Sequence, residues 1–233
     1  MSTMDNVRQP LQGDVITFYS YKGGTGRSML LANVAWQLAS SGSRVLVIDW
    51  DLEAPGIHRY FKPFLGDDPE LRNQDGVMEW VTSYWDAFLD AHLEGRDVDV
   101  AELVSQWSDP RHFVCRLETG NLVPGGIDLM GAGRQDKSYG ESVADFDWTK
   151  LYRQLKGEEF IAVSKGILTG PGGYDYVLID SRTGVSDTSG FCTVEMADTL
   201  VVCFTYNNQS VINTAIKHKT YSWQHQHMTP SYF

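Results

Sequence analysis

Seven consecutive residues, Lys22 to Ser28 (KGGTGRS), bring together the groups needed to hold a phosphate chain. Gly23, Gly24 and Gly26 lack a Cβ, so the backbone can curl with its N–H groups inward and approach an anion closely. Thr25 lies between them, and Arg27, Ser28 and Met29 open the segment that follows. A helix starting near Arg27 would add unpaired N–H groups and the positive end of its dipole. Ser28 is placed to offer its hydroxyl to Mg²⁺, as in the loop pattern G-x-x-x-x-G-K-[ST]. Two positions depart from that pattern: Tyr21 stands at the first glycine and Arg27 at the lysine, while an additional lysine, Lys22, opens the loop. Arginine keeps the charge but is planar and longer, and it does not replace lysine as a compact point charge.

Two carboxylate motifs complete the chemistry. Asp49-Trp50-Asp51-Leu52-Glu53-Ala54-Pro55-Gly56 follows the apolar run Arg44 to Ile48. Ligands of open α/β sheets sit beyond the carboxyl ends of strands, so this D-x-D belongs beside the glycine loop. The two carboxylates are expected to point to opposite sides of the sheet's edge or into the loop beyond it. Tyr174 to Asp180 (YDYVLID) is a second apolar strand ending in an acid, followed by Ser181-Arg182-Thr183-Gly184. Asp180 there would hold Mg²⁺ through a water, opposite Ser28, since hard oxygen ligands and retained waters suit that ion.

The form K-G-G-x-G-[K/R]-[ST] resembles the deviant Walker A loop of the ParA/MinD/nitrogenase-iron-protein group of P-loop ATPases, in the bacterial subset with arginine in the loop. The resemblance runs from Val15 to about Ser210 and includes the three motifs in order. It implies that Lys22 reaches across an ATP-sandwich dimer to the partner's nucleotide. It also implies that Asp51 orients or activates the attacking water and Asp49 supports the Mg²⁺ shell. Residues 22–29 would contact the nucleotide, Arg27 would neutralise phosphate charge, and Gly184 would present its N–H to the γ-phosphate. The last motif reads D-S-R-T-G, without the prolines usual in the group. Arg182 is read either as an arginine finger or as the partner of a nearby carboxylate.

The elements that must position these residues are legible from hydropathy. Val15 to Tyr19 reads as a buried strand, and Leu30, Leu31, Val34, Ala35 and Leu38 mark one face of a helix over Arg27 to Ser40. Ile127 to Ala132 and Thr199 to Thr205 read as further strands. A single helix is expected from Asp147 or Thr149 to about Lys165, and another within Asp187 to Met196. Residues 57–125 form a largely helical and irregular insertion, with Val77, Trp80, Val81, Tyr84, Trp85, Phe88 and Leu89 as a core or interface stripe. The expected fold is α/β, with a doubly wound, mainly parallel sheet in one nucleotide-binding domain over residues 1–233. Residues 1–13 form a polar tail, and residues 212–233 an atypical end that lacks the last strands of the fold. The C-terminal His218, His225 and His227 lack a clean metal-ligand spacing.

The 233 residues suit one sizeable domain, and 42% hydrophobic with 21% charged residues is ordinary globular composition. A net charge of −11 opposes sequence-independent DNA binding and an electrostatic membrane anchor. Cys115, Cys192 and Cys203 are odd in number and far apart, which reads as free buried thiols in a reducing cytoplasm. No apolar run reaches the roughly 18 residues of a membrane span.

The function expected is a Mg²⁺-dependent ATP-binding protein. It would be a slow ATPase that forms an ATP-dependent homodimer and recruits a protein partner. One alternative is a nucleotide-holding scaffold with little turnover, because Arg27 and the altered D-S-R-T-G segment dull the chemistry. Another is an ATP-dependent ligase of the cobyric-acid or dethiobiotin synthetase type, which shares the loop group.

Overall fold

The apolar run at residues 45–48 lies in the second strand of a six-stranded sheet in the computed structural model, which describes residues 12–93, 100–181 and 196–205. The elements in chain order are β1 (Asp14–Ser20), α1 (Arg27–Ser40), β2 (Arg44–Trp50), α2 (Val77–Leu93), α3 (Val100–Trp107) and β3 (Cys115–Arg116). They continue as β4 (Gly126–Met130), α4 (Tyr139–Asp145), α5 (Trp148–Gln154), α6 (Gly157–Thr169), β5 (Tyr176–Ser181) and β6 (Thr199–Cys203). The sheet order is β3-β4-β2-β5-β1-β6. Only the two-residue β3 pairs antiparallel, and the other neighbours are parallel. The mainly parallel α/β sheet expected from the sequence is the fold observed.

Parallel strands covered on both faces need apolar side chains in both directions, and the strands supply them. Val45 and Val47 of β2, Ile127 and Leu129 of β4 and Leu178 of β5 pack with Leu31, Ala32, Ala35 and Ala39 of α1. Leu46, Ile48 and Trp50 of β2, with Val177 and Ile179 of β5, pack instead with α2, α5 and α6. The aromatic stripe of α2 belongs to this second core. Trp80 lies edge-on to Trp50 at 6.1 Å, and Tyr84 stacks on Phe160 of α6 at 4.2 Å. Residues 77–93 are thus a crossover helix between β2 and β4 that covers the sheet.

One expected helix is two. Asp147 caps α5 by accepting the Lys150 N–H at 2.9 Å, but the helix stops at Gln154. Lys156 has a left-handed backbone (φ 57), and α6 starts at Gly157. A Cβ on Gly157 would lie 2.9 Å from the Leu151 carbonyl oxygen, so the chain folds back tightly there. Cys115 and Cys203 are half-buried free thiols, not fully buried ones. The expected helix at residues 187–196, Cys192 and the atypical C-terminal end lie outside the described residues, apart from Met196. No described helix is long and apolar enough to cross a membrane.

The amino end of α2 docks on the loop after β4. Val77 N–H donates to Gly131 O and Met78 N–H to Ala132 O, at 2.9 and 3.0 Å. Glu79 accepts the Gly76 and Arg134 N–H groups. A Cβ on Gly76 would stand 2.1 Å from Gly131 O, and that obstacle is backbone. Gly76→Ala is therefore expected to cost about 2–3 kcal/mol of stability, at the upper end of overpacking effects. Urea unfolding of both proteins measures it, and a loss below about 0.5 kcal/mol would contradict this packing.

Candidate functional site

The sheet brings the sequence motifs together at the carboxyl ends of β1, β2 and β5. β1 runs into the glycine loop, where Gly24 and Gly26 take left-handed φ values of 74° and 81° that other residues resist. Gly26 precedes α1, and no side chain caps the helix's first turn. Ser20, residues 23–29, Asp51 and Tyr60 line a concavity of about 220 Å³ over this loop. Thr25 Oγ1 is buried in the loop with no hydrogen-bond partner among the described residues.

The acids converge because of strand register. Asp49 and Asp180 are directly paired across β2 and β5. Strand side chains repeat every two residues, so Asp49 and Asp51 face the α1 side while Trp50 is buried in the core on the other face. The expected divergence to opposite sides is thereby corrected. They separate along the chain instead. Asp51 lies just past the strand and reaches Arg27, whereas Asp49 is fully buried and turned under the following loop. There it accepts the N–H groups of Asp51, Gly56 and Ile57 at 3.2, 3.0 and 3.3 Å.

Arg27 is the centre of the site. Its side chain is only 6% exposed, and its Nε donates to Asp180 Oδ1 at 2.5 Å. Nη2 donates to Asp51 Oδ2 at 2.8 Å, and Nη1 to Ser20 Oγ at 3.2 Å. Ser28 Oγ donates to the other Asp180 oxygen at 2.5 Å. One guanidinium thus ties the two motif carboxylates to the loop.

The electrostatics follow from burial and proximity. Burial works against the Arg27 charge, but Asp180 and Asp51 outweigh it and raise its pKa further. Burial raises the Asp180 pKa; Arg27 and Ser28 oppose the shift and Asp51 adds to it. Burial and the neighbouring Asp180 push Asp49 up to about 8, with a smaller push from Asp51, against the Gly56 and Asp51 amides. Below that pH, Asp49 is mainly the neutral acid, held by the loop amides.

Lys22 is exposed at the head of the loop, and its carbonyl accepts the Ser20 hydroxyl at 3.0 Å. Met29 is 52% exposed at the rim, next to Leu30 and near Tyr60 at 43% and 46%. Gly184 and Arg182 lie outside the described residues. Sequence reasoning missed Ser20 and Tyr60. Ser20 is the last residue of β1 and could have been found from that position. Tyr60 returns through the short 3₁₀ turn Ile57–Tyr60, which no spacing announces.

His58 in that turn is buried, and burial with the Arg59 and Lys62 charges lowers its pKa while Glu70 partly opposes them. A lowered folded pKa gives stability that is present above the ordinary value of about 6.5 and lost as pH falls through the folded value. Wild type is expected to lose more stability between about pH 7.5 and about pH 5 than His58→Gln does. Equal losses in urea unfolding at the two pH values would contradict this.

The donor set suits Mg²⁺, which commonly binds through one or two carboxylates plus substrate phosphates. Ser28 and Asp180 supply adjacent hard oxygens, and Thr25 Oγ1 is a buried polar atom awaiting a partner. Among the described residues no group of three or more His, Cys, Asp or Glu is arranged to hold a metal by itself.

The model of the CobQ/CobB/MinD/ParA nucleotide binding domain matches residues 16–217. An uncharacterized ATP-binding protein of Methanocaldococcus jannaschii is 23% identical over 220 residues, covering 91% of this chain and 62% of that protein. The cytosolic Fe-S cluster assembly factor CFD1 of Yarrowia lipolytica is 25% identical over 161 residues, covering 66% of this chain and 52% of that protein. The chain thus spans between half and two thirds of the length of these relatives. A plasmid partition protein of Borrelia burgdorferi B31, solved bound to AMPPNP, has the same fold, with a TM-score of 0.58 at 19% identity over 89% of this chain and 69% of that one.

Proposed function

Because the chain belongs to the CobQ/CobB/MinD/ParA nucleotide-binding domain family, we propose that it is a Mg²⁺-dependent ATP-binding protein, a slow ATPase whose nucleotide state drives dimerisation and recruitment of a protein partner. The observation that carries this reading is the loop concavity with Ser28 and Asp180 bonded at its edge.

Each residue has a defined task. The N–H groups of the loop and of the first turn of α1 cradle the phosphates. Ser28 Oγ and Asp180 would hold the metal, and a bound Mg²⁺ would supply charge neutralisation at the phosphate oxygens. Arg27 turns from its carboxylates toward the phosphate chain, and Asp51, released from it, positions the attacking water. Lys22, at the exposed head of the loop, reaches the nucleotide of a second copy. Catalysis of this kind is positioning and charge stabilisation rather than covalent chemistry.

The Arg27 bridge favours one second reading. While Arg27 binds both Asp51 and Asp180, the groups needed for metal and water are occupied by the protein's own cation. A chain in which that bridge persists with ATP bound is a nucleotide-holding scaffold.

Hydrolysis and sedimentation on one sample separate the two. Wild type with Mg²⁺-ATP is expected to dimerise and turn over slowly. Lys22→Ala is expected to remain monomeric and to lose turnover, while Arg27→Lys, with its shorter point charge, is expected to turn over faster. ATP binding without dimer or turnover in wild type selects the scaffold.

A further inference from the structure

A second cleft lies at the opposite, amino-terminal edge of the sheet. Arg44 begins β2, Arg116 ends β3, and Gly126 begins β4. With Arg111, Asp128, Gly172, Gly173 and Tyr174 they enclose about 150 Å³. In a chain of net charge −11, three guanidinium groups face one carboxylate in this wall. We propose that the cleft is an anion site that takes a phosphate monoester group, independent of the nucleotide loop.

The hydrogen bonds that are made leave most of the donors over. Arg44 Nη1 donates to Gly172 O at 3.0 Å, and Arg111 is forked on Asp109 through Nε and Nη2 at 2.8 and 2.6 Å. Each guanidinium carries five N–H donors. Arg116 makes no side-chain hydrogen bond or ion pair among the described residues, although Asp128 is its cross-strand neighbour. One Asp128 oxygen is already engaged by the Tyr174 hydroxyl at 2.9 Å. Grouped cations with spare, fork-shaped donors are the arrangement that recognises phosphate or carboxylate oxygens.

The floor of the cleft keeps these heads in place. Gly172 has a left-handed φ of 80°, and a Cβ on Gly173 would lie 2.2 Å from Leu168 O. A Cβ on Gly126 would lie 3.3 Å from Arg116 Nη2, so that guanidinium is folded over the first residue of β4. The volume is below the roughly 300 Å³ at which small-molecule pockets begin. It therefore takes a charged head group, with the remainder of the ligand outside. Asp109 and Asp128 offset part of the guanidinium charge, so a phosphate is favoured over a monocarboxylate by its additional acceptor oxygens for the spare donors.

The test uses the intact chain and several probes. Crystals soaked in tungstate are expected to show an anomalous peak among Arg44, Arg111 and Arg116, separate from any peak at the glycine loop. Calorimetric titration with inorganic phosphate in the presence of Mg²⁺-AMPPNP is expected to show binding that Arg116→Gln weakens at least tenfold. That variant leaves the nucleotide site untouched, so its AMPPNP affinity should match wild type. Glycerol phosphate and a phosphoserine peptide then identify whether the monoester comes from a small molecule or a modified protein, by which binds more tightly. Tungstate only at the glycine loop, or phosphate binding unchanged by Arg116→Gln, would overturn the proposal. Because Arg116 is remote from the loop, either result is distinguishable from a failure of nucleotide binding.

Discussion

Asp180→Ala is expected to lower the unfolding free energy of the metal-free protein by about 3 kcal/mol, within the range for breaking a buried ion pair from one side. Asp180 and Arg27 are only 2% and 6% exposed, so solvent does little to screen the loss. The substitution strips Arg27 Nε and the Ser28 hydroxyl of their shared acceptor. Asp51 still bonds Nη2, which keeps the cost near the bottom of the range of about 3–5 kcal/mol. Asp180→Asn keeps an oxygen acceptor of the same shape and is expected to lose roughly half as much. Guanidinium unfolding in EDTA measures both variants. A loss below about 1 kcal/mol for Asp180→Ala would mean that the bridge through Arg27 is not a structural tie. Mg²⁺-dependent tightening of ATP binding is expected to disappear in both variants, because each removes the anionic oxygen that would hold the ion.

Asp51→Ala is expected to reduce ATP turnover by about 100-fold or more, the lower part of the range for a group that positions or accepts a proton. ATP affinity is expected to hold or rise, for a reason specific to this site. Asp51 takes the Arg27 Nη2 hydrogen bond at 2.8 Å, so its removal frees part of the guanidinium for phosphate. A substitution that damaged the loop would instead weaken affinity and turnover together. Single-turnover rates and AMPPNP titrations on wild type, Asp51→Ala and Asp51→Asn distinguish the two patterns. If Asp51→Ala turns over as wild type does, Asp51 is a tether for Arg27 and has no part in the chemistry.

The effects on stability and on turnover meet in Arg27. A lysine at this position would carry a point charge without the planar fork that bonds Asp180 through Nε and Asp51 through Nη2 at once. The arginine therefore joins the two motif acids before any ligand arrives. In the proposed function, Mg²⁺ and nucleotide would have to displace that arrangement, which is expected to slow turnover.

Much of this protein was determined by local sequence. Unbroken apolar runs at 45–48 and 176–179 specify strands covered on both faces, since only a parallel sheet between helix layers buries such runs on both sides. The glycines of the loop and the helical spacing after Arg27 specify strand, turn and helix, because positive φ and the 3.6-residue period are local demands. The carboxyl-end placement of Asp51 and Asp180 follows from those strands. The break at Lys156 and Gly157 is local too, a tight return onto the Leu151 backbone that interrupts a continuous helical pattern. Other features depended on contacts between distant segments. The burial of Asp49 beneath the loop amides, the return of Tyr60 to the rim, and the bond from Arg27 to two acids 24 and 153 residues away arise only when β2 and β5 lie side by side. Hydropathy and propensity act over a few residues, whereas strand register and loop closure are settled by the packing of the whole sheet.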